Sequence, residues 1–511
     1  MKKNNLTRTV YLVLLLISCS AGQVLAQIPV RTGPAPAEEI KKARVALDTN
    51  MNNMNNMAAH KAYIYAMGIN TQQVVDQYRE WMKKYPENVT IPLSIGTVYY
   101  NAEMPQAGEF LLRAATIEPG NAGIWSMLSG DAFTRGEKDL SAEYLKKATL
   151  ADPSNANYAV SYLVSFEDGD PDVYKQKVFD FVKRFPESEA GARALYGLGD
   201  RAANSADKIN YFEELCKLYP PQKFNWSSAA MVELTDHYLQ TDPGKALALI
   251  SGMGEGKNWM IRKQVAESLI RINKLEQNQN YKDALIELNQ VKLPKFNYIN
   301  DFIALKKASL RERSGDVKAA YDSLALKCAK LPTDELYTRL ALYGKELGKD
   351  KAQVTTDLET IRNNRAVAAY PFDLGLYTGK GKLNLNDLKG KVVLLTFWFP
   401  ACNPCRAEFP HFEAVLNKFK GDKVVYVGID VSPLQDGYVI PLMKNNKYSF
   451  IPLRGSSEFA AKNYGVQGEP ENFLIDKDGK IVFSNFRIDS TNHRTLELMI
   501  ASLLQKGQQS N

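Results

Sequence analysis

Cys402 and Cys405 stand two residues apart in the stretch WFPACNPC. Cysteines at that spacing can form half of a metal site, a structural staple or a redox pair. A closed zinc site takes four Cys or His ligands. From residue 366 onward only His411 and His493 could join the two thiols, and no second cysteine pair exists. A permanent staple over so short a loop constrains little chain. A C-x-x-C where a strand runs into a helix is instead the arrangement of a redox pair.

The flanking segments predict that junction. VVLLTFWF (392–399) is an unbroken apolar run of β-formers and reads as a central strand. NPCRAEFPHFEAVLNKF reads as a helix with Phe409, Phe412, Leu416 and Phe419 on one face. Cys402 would cap this helix, where unpaired N–H groups and the positive dipole end stabilise a thiolate. Cys405, one turn on, is placed to resolve a mixed disulfide. Pro404 falls in the first turn, where its missing N–H costs nothing. The chemistry requires the Cys402 sulfur to be ionised and solvent-accessible. Further elements follow: a strand at KVVYVGIDV, a helix ending at PLMKNNK, a short strand at FIPL, a hairpin over NFLIDKDGKIVFSNF and a terminal helix near 492–505. Strands alternating with helices make this an α/β sheet closed by an antiparallel hairpin.

The preceding region has another rhythm. Pro86, Pro119, Pro153, Pro186 and Pro220 are spaced by 33, 34, 33 and 34 residues, each after an amphipathic run such as AGEFLLRAATI. Proline cannot continue a helix and sets its stop. The period and residue types resemble tetratricopeptide (TPR) repeats, best over Trp125, Leu128, Ala132, Ser141, Leu145, Ala148 and Pro153. Stacked helix pairs make an α-α solenoid, whose concave face implies a peptide or protein partner. Cys216 and Cys328 each lie four residues before a proline and read as inert buried thiols, too far apart to pair. Met51, Met54 and Met57 read as a helix face packing on the first repeat rather than a copper site.

The first residues supply an address. MKKNNLTR, the apolar VYLVLLLIS and the small-residue pattern ending at Ala26 read as a signal peptide, so the chain is expected to be exported, periplasmic or in the cell envelope. Leu16-Ile17-Ser18-Cys19 also matches a lipobox, which would anchor the chain through Cys19. Net charge is +7, or +4 once Lys2, Lys3 and Arg8 leave with the leader, too weak a bias for nucleic acid. The expected division is 1–26 leader, 27–59 N-terminal segment, 60–362 repeat domain and 366–511 α/β domain.

The stretches DLKGKVVLLTFWFPACNPCRAEFP and YGVQGEPENFLIDKDGKIV resemble the thioredoxin superfamily, and most closely its exported TlpA/ResA-like thiol-disulfide oxidoreductases, over about 370–505. The resemblance implies a thioredoxin-like fold with Cys402 attacking, Cys405 resolving and Glu408 moving protons. It further implies that Pro470 is a cis-proline docking substrate, with Glu469 and Trp398 beside it, and that Pro410 kinks the helix. Three departures stand out: Ala401 replaces the usual Trp before the first cysteine, Thr396 replaces a buried carboxylate, and Glu469 and Glu471 flank Pro470 where neutral residues are usual. The implied activity is disulfide reduction of a protein substrate, fed by a thiol electron donor, without metal or dissociable cofactor. A non-catalytic adaptor and a thiol peroxidase are the competing readings; Phe399, where a peroxidase carries Thr, weighs against the second.

Overall fold

The computed structural model describes residues 33–48, 56–294 and 297–505. The leader, Cys19, Met51 and Met54 lie outside them. Among the described residues nineteen helices, from Ala37–Asp48 to Lys351–Arg365, precede a mixed α/β domain. No helix among the described residues is long and apolar enough to cross a membrane.

The periodic prolines work as punctuation together with the residue two places on. The helix Ala107–Ile117 ends at Glu118, whose N–H returns to Ala114 O; Pro119 follows, and Asn121 caps the helix Ala122–Thr134 through Gly123 and Ile124 N–H. Asp152, Pro153 and Asn155 repeat the device, as do Phe185, Pro186 and Ser188. Each cap satisfies donors that the helix leaves unpaired. Within a pair, the helices Ala122–Thr134 and Lys138–Ala151 turn at Gly136, whose φ of +77° suits glycine. Ser129 and Ser141 then hydrogen-bond across the pair at 2.8 Å. Ala148 is fully buried where the two helices come together. Met57 opens the helix Met57–Met67 but is exposed, so it does not pack as a core face. Cys216 is half-buried with its Sγ 3.6 Å from Ser227 O, and Cys328 is buried; both are free, and burial pushes each thiol up to about 12.

The α/β domain holds eight strands: β1 (Val367–Ala368), β2 (Asp373–Gly375), β3 (Lys382–Asn384), β4 (Val392–Trp398), β5 (Val424–Asp430), β6 (Ile451–Arg454), β7 (Glu471–Ile475) and β8 (Lys480–Ser484). Six form one sheet in the order β1-β8-β7-β4-β5-β6, and β2 pairs with β3 separately. β4 runs parallel to β5 and antiparallel to β7, which makes it the centre of the sheet. All seven β4 residues are buried, as an apolar strand covered on both faces must be. The helices Asn403–Leu416, Asp436–Asn446 and His493–Gln505 fall where the sequence places them. The strands β1–β3 and the helix Ser457–Tyr464 were not anticipated; they are too short for a periodic signal.

The helical region grips this domain at two places. Near the start of the chain, the Tyr438 hydroxyl donates to Asp131 Oδ1 at 2.6 Å, and Arg135 lies 4.9 Å from the Tyr438 ring. A Cβ at Gly437 would sit 2.8 Å from Pro105 Cγ, so glycine allows the close approach. At the other end Arg494 pairs with Asp334, Arg362 lies 5.3 Å from the Phe483 ring, and Leu331 packs on the domain core.

Candidate active site

Cys402 is the N-cap of the helix Asn403–Leu416, with Pro404 in its first turn. Its Sγ accepts from Cys405 N–H at 3.2 Å, and the two cysteines are joined by a disulfide with Cα atoms 5.3 Å apart. The capping expectation therefore holds. Accessibility does not: Cys402 is 3% exposed and Cys405 is buried, both within the domain's apolar core. Among the neighbours Asn403 is exposed, and Ala401 and Pro404 are half-buried.

Glu408, one turn beyond Cys405, is 5% exposed rather than solvated. Its Oε1 accepts from Ile488 N–H and its Oε2 from Asn472 Nδ2, each at 2.9 Å. Burial pushes its carboxyl above the usual range, and the Asn472 amide, the charge of Arg487 and the Ile488 N–H hold it back. Asn472 is the residue that sequence reasoning missed. It sits on β7 directly opposite Thr396 on β4. The Thr396 hydroxyl donates to Asn472 Oδ1 at 2.9 Å, and Asn472 Nδ2 also donates to Phe486 O. An amide and a hydroxyl thus occupy the ground ahead of Glu408, and Thr396 has a polar role although it carries no acid. A lone Asn at the start of an apolar strand was the available signal.

The Glu469–Pro470 peptide is cis, and Pro470 is buried. Glu469 and Glu471 are half-buried, and burial raises both carboxyls. Trp398 is 0% exposed, packed edge-on against Phe409 and Phe450. The last residue of a central strand points into the core, so Trp398 offers no surface to a substrate; it supports the active-site helix from beneath. Pro410 lies inside that helix, which continues to Leu416. His411 and His493 hydrogen-bond to each other at 2.9 Å. No group of three or more Cys, His, Asp or Glu among the described residues could hold a metal ion.

The loop before Cys402 is also tied down. Ala401 N–H donates to Gln435 Oε1 at 2.9 Å, and Gln435 Nε2 donates to Glu103 Oε2, in the helical region, at 2.7 Å.

Residues 368–484 match the AhpC/TSA family. Thiol-disulfide oxidoreductase ResA of Bacillus thuringiensis subsp. konkukian is 36% identical over 101 residues, 20% of this chain and 58% of that protein. ResA of Bacillus subtilis is 33% identical over 105 residues, with the same shares. Thiol:disulfide interchange protein DsbE of Pseudomonas fluorescens biotype C is 33% identical over 110 residues, 22% of this chain and 60% of that protein. The chain thus spans under two thirds of the length of these relatives. Among solved structures, a thiol:disulfide interchange protein of the thioredoxin family from Chlorobium tepidum aligns over 27% of this chain and 97% of its own, with 23% identity and a TM-score of 0.25. The C-terminal part of the chain is an AhpC/TSA-type thioredoxin-like domain whose relatives include ResA- and DsbE-type thiol-disulfide oxidoreductases.

Proposed function

We propose that the protein is an exported thiol-disulfide oxidoreductase, working as a disulfide reductase, with residues 366–511 as its catalytic domain and residues 60–362 as a TPR-like arm that binds a partner. The leader 1–26, or a lipid on Cys19, would place it in the cell envelope. The observation that carries the reading is the Cys402–Cys405 disulfide at a helix N-terminus, with Glu408 buried one turn further on.

The Cys402 thiolate attacks one sulfur of a substrate disulfide; the S–S bond breaks, a mixed disulfide forms and the other substrate sulfur leaves as a thiolate that takes a proton. Glu408 accepts the Cys405 proton. The Cys405 thiolate then attacks the Cys402 sulfur, breaks the mixed disulfide and releases the second substrate thiol. Two electrons have passed to the substrate, and the enzyme is left as the Cys402–Cys405 disulfide for an external thiol donor to reduce. By the resemblance Pro470 lies where an extended substrate strand docks, and the half-buried Glu469 carboxylate beside it favours basic substrates over acidic ones.

The burial of Cys402 favours a second reading, in which the domain is a docking platform without catalysis. Insulin reduction by the reduced full chain separates the two. So does Cys405→Ser, which traps substrate on Cys402 if the chain is a reductase and traps nothing if it is an adaptor.

A further inference from the structure

Two contacts from the helical region meet the redox loop, one on each side of it. Arg406 directly follows Cys405. Its backbone N–H donates to Cys402 O at 3.0 Å, and its Nη1 lies 3.4 Å from Pro400 O, so its charge folds back over the turn that contains Cys402. The residue is 9% exposed, and no carboxylate among the described residues forms an ion pair with it. Burial pushes its guanidinium down to about 10. It is held instead by the helical region: Nη2 donates to Phe133 O at 2.5 Å, and the guanidinium lies over the Phe133 ring at 4.0 Å from its centroid. On the other side the Glu103 carboxylate seats Gln435, which in turn holds the Ala401 N–H. Burial raises the Glu103 carboxyl, opposed by its bond to Gln435. Residues some 270 and 330 positions apart in the chain therefore fix the three residues ahead of the helix N-terminus.

We infer that the helical arm completes the redox centre: Phe133 and Glu103 are positioning residues that fix the loop ahead of Cys402, Phe133 by seating the Arg406 guanidinium and Glu103 by seating Gln435 against the Ala401 amide. The inference rests on the proposed thiol-disulfide chemistry and assigns the arm a task besides partner binding. A cation held over the Cys402 turn stabilises the thiolate, hence the dithiol form, against the disulfide. Without the Phe133 ring the guanidinium keeps its main-chain acceptor but is held less closely and is more open to water, and that stabilisation weakens. An Ala401 amide without its acceptor lets the loop drift, and attack by Cys402 slows.

The test uses the full chain. One reading is the equilibrium in which the dithiol plus oxidised glutathione gives the protein disulfide and two glutathione thiols. The other is the rate at which the dithiol reduces a small aromatic disulfide. Phe133 is 42% exposed, so Phe133→Ala removes the ring beneath the guanidinium at little cost to packing and leaves the main-chain carbonyl that Nη2 donates to. It is expected to move the equilibrium severalfold toward the protein disulfide, and Phe133→Tyr, which keeps a ring, to leave it near wild type. Glu103→Ala is expected to slow the rate severalfold, while Glu103→Gln, which keeps an acceptor for Gln435, holds it near wild type. Asp334→Ala, which cuts the distant contact with Arg494, is expected to change neither. The inference falls if Phe133→Ala or Glu103→Ala stays within twofold of wild type in both readings. It falls equally if Asp334→Ala moves them as far, because the effect is then general loosening. Should Glu103→Ala fail to fold, Gly437→Ala replaces it: the added Cβ pushes away the Pro105 turn that carries Glu103, and the same slowing is required. A wild-type chain with no reversible disulfide would defeat the proposed function itself; unchanged variants of an active chain defeat only this inference.

Discussion

Asn472→Ala tests how the buried acid is tuned. Asn472 gives Glu408 one of its two hydrogen bonds, at 2.9 Å, inside the core. A hydrogen bond to a charged group contributes about 1.5–3 kcal/mol. Its loss favours the protonated carboxyl, so Glu408 can take the Cys405 proton only at higher pH. At 1.36 kcal/mol per pH unit, the acid limb of the resolving step moves up by about one to two pH units. The second donor, Ile488 N–H, comes from the backbone and stays, so the limb moves without disappearing. The substitution also leaves the Thr396 hydroxyl and Phe486 O without their partner, at about 1–3 kcal/mol for each buried group left unsatisfied. Circular dichroism at each pH therefore accompanies the kinetics. Reduced protein is mixed with a chromogenic disulfide, and release of the mixed disulfide by Cys405 is followed by stopped flow from pH 4 to 9. A folded variant whose acid limb coincides with that of wild type would refute the assignment of Glu408 as the proton acceptor.

Three other outcomes are expected. Burial raises the Asp430 carboxyl from 3.8 to about 7, opposed by Ser432 N–H and the Tyr377 hydroxyl, so folding favours its neutral form: the stability it contributes is full below about pH 4 and is lost as pH rises through 7. The span sets an upper bound of about 4 kcal/mol, and urea unfolding of Asp430→Asn is expected to show a flatter pH dependence than wild type. Glu469→Gln is expected to narrow the rate preference for a lysine-flanked over a glutamate-flanked peptide disulfide, read in competition at low salt. Asp236→Ala removes the bidentate partner of buried Arg262 and the acceptor of Tyr298 N–H within the helical region, and is expected to cost about 3–5 kcal/mol in urea unfolding without shifting the reduction equilibrium.

What could be read from the sequence was what is local. The C-x-x-C pair, its N-cap position and the Pro404 turn are encoded within a few residues, and the strands on either side announce themselves by apolar runs. The proline period marked helix ends because each proline stands beside a stop, and at Pro119, Pro153 and Pro186 a cap follows two residues on. Asn472 was not legible because its meaning lies in its cross-strand neighbour Thr396, 76 residues away. Trp398, which the resemblance placed beside Pro470 at the substrate, is instead fully buried against Phe409 and Phe450, because the central strand that carries it is covered on both faces. The hold on Ala401 and Arg406 was least legible of all, since Glu103 and Phe133 belong to a region that the repeat pattern describes only as a solenoid.

Burial of the sulfur pair and of Glu408 has one physical consequence that links these parts. A thiolate and a carboxylate in the same dry pocket would repel each other and each would lose its charge. The helix separates them. Cys402 stands at the end where N–H groups and the dipole support negative charge, while Glu408 lies in the second turn, where that support has faded. Glu408 must then draw on Asn472 and Ile488, and burial still raises it. Opposite environments within two turns of one helix sort the groups into an anion that attacks and an acid that exchanges protons. Arg406 sits between them in sequence and adds its cation to the Cys402 turn only because a carbonyl and a ring from the helical region hold it there. The division of labour within one short helix thus depends on a contact that the α/β domain cannot make by itself.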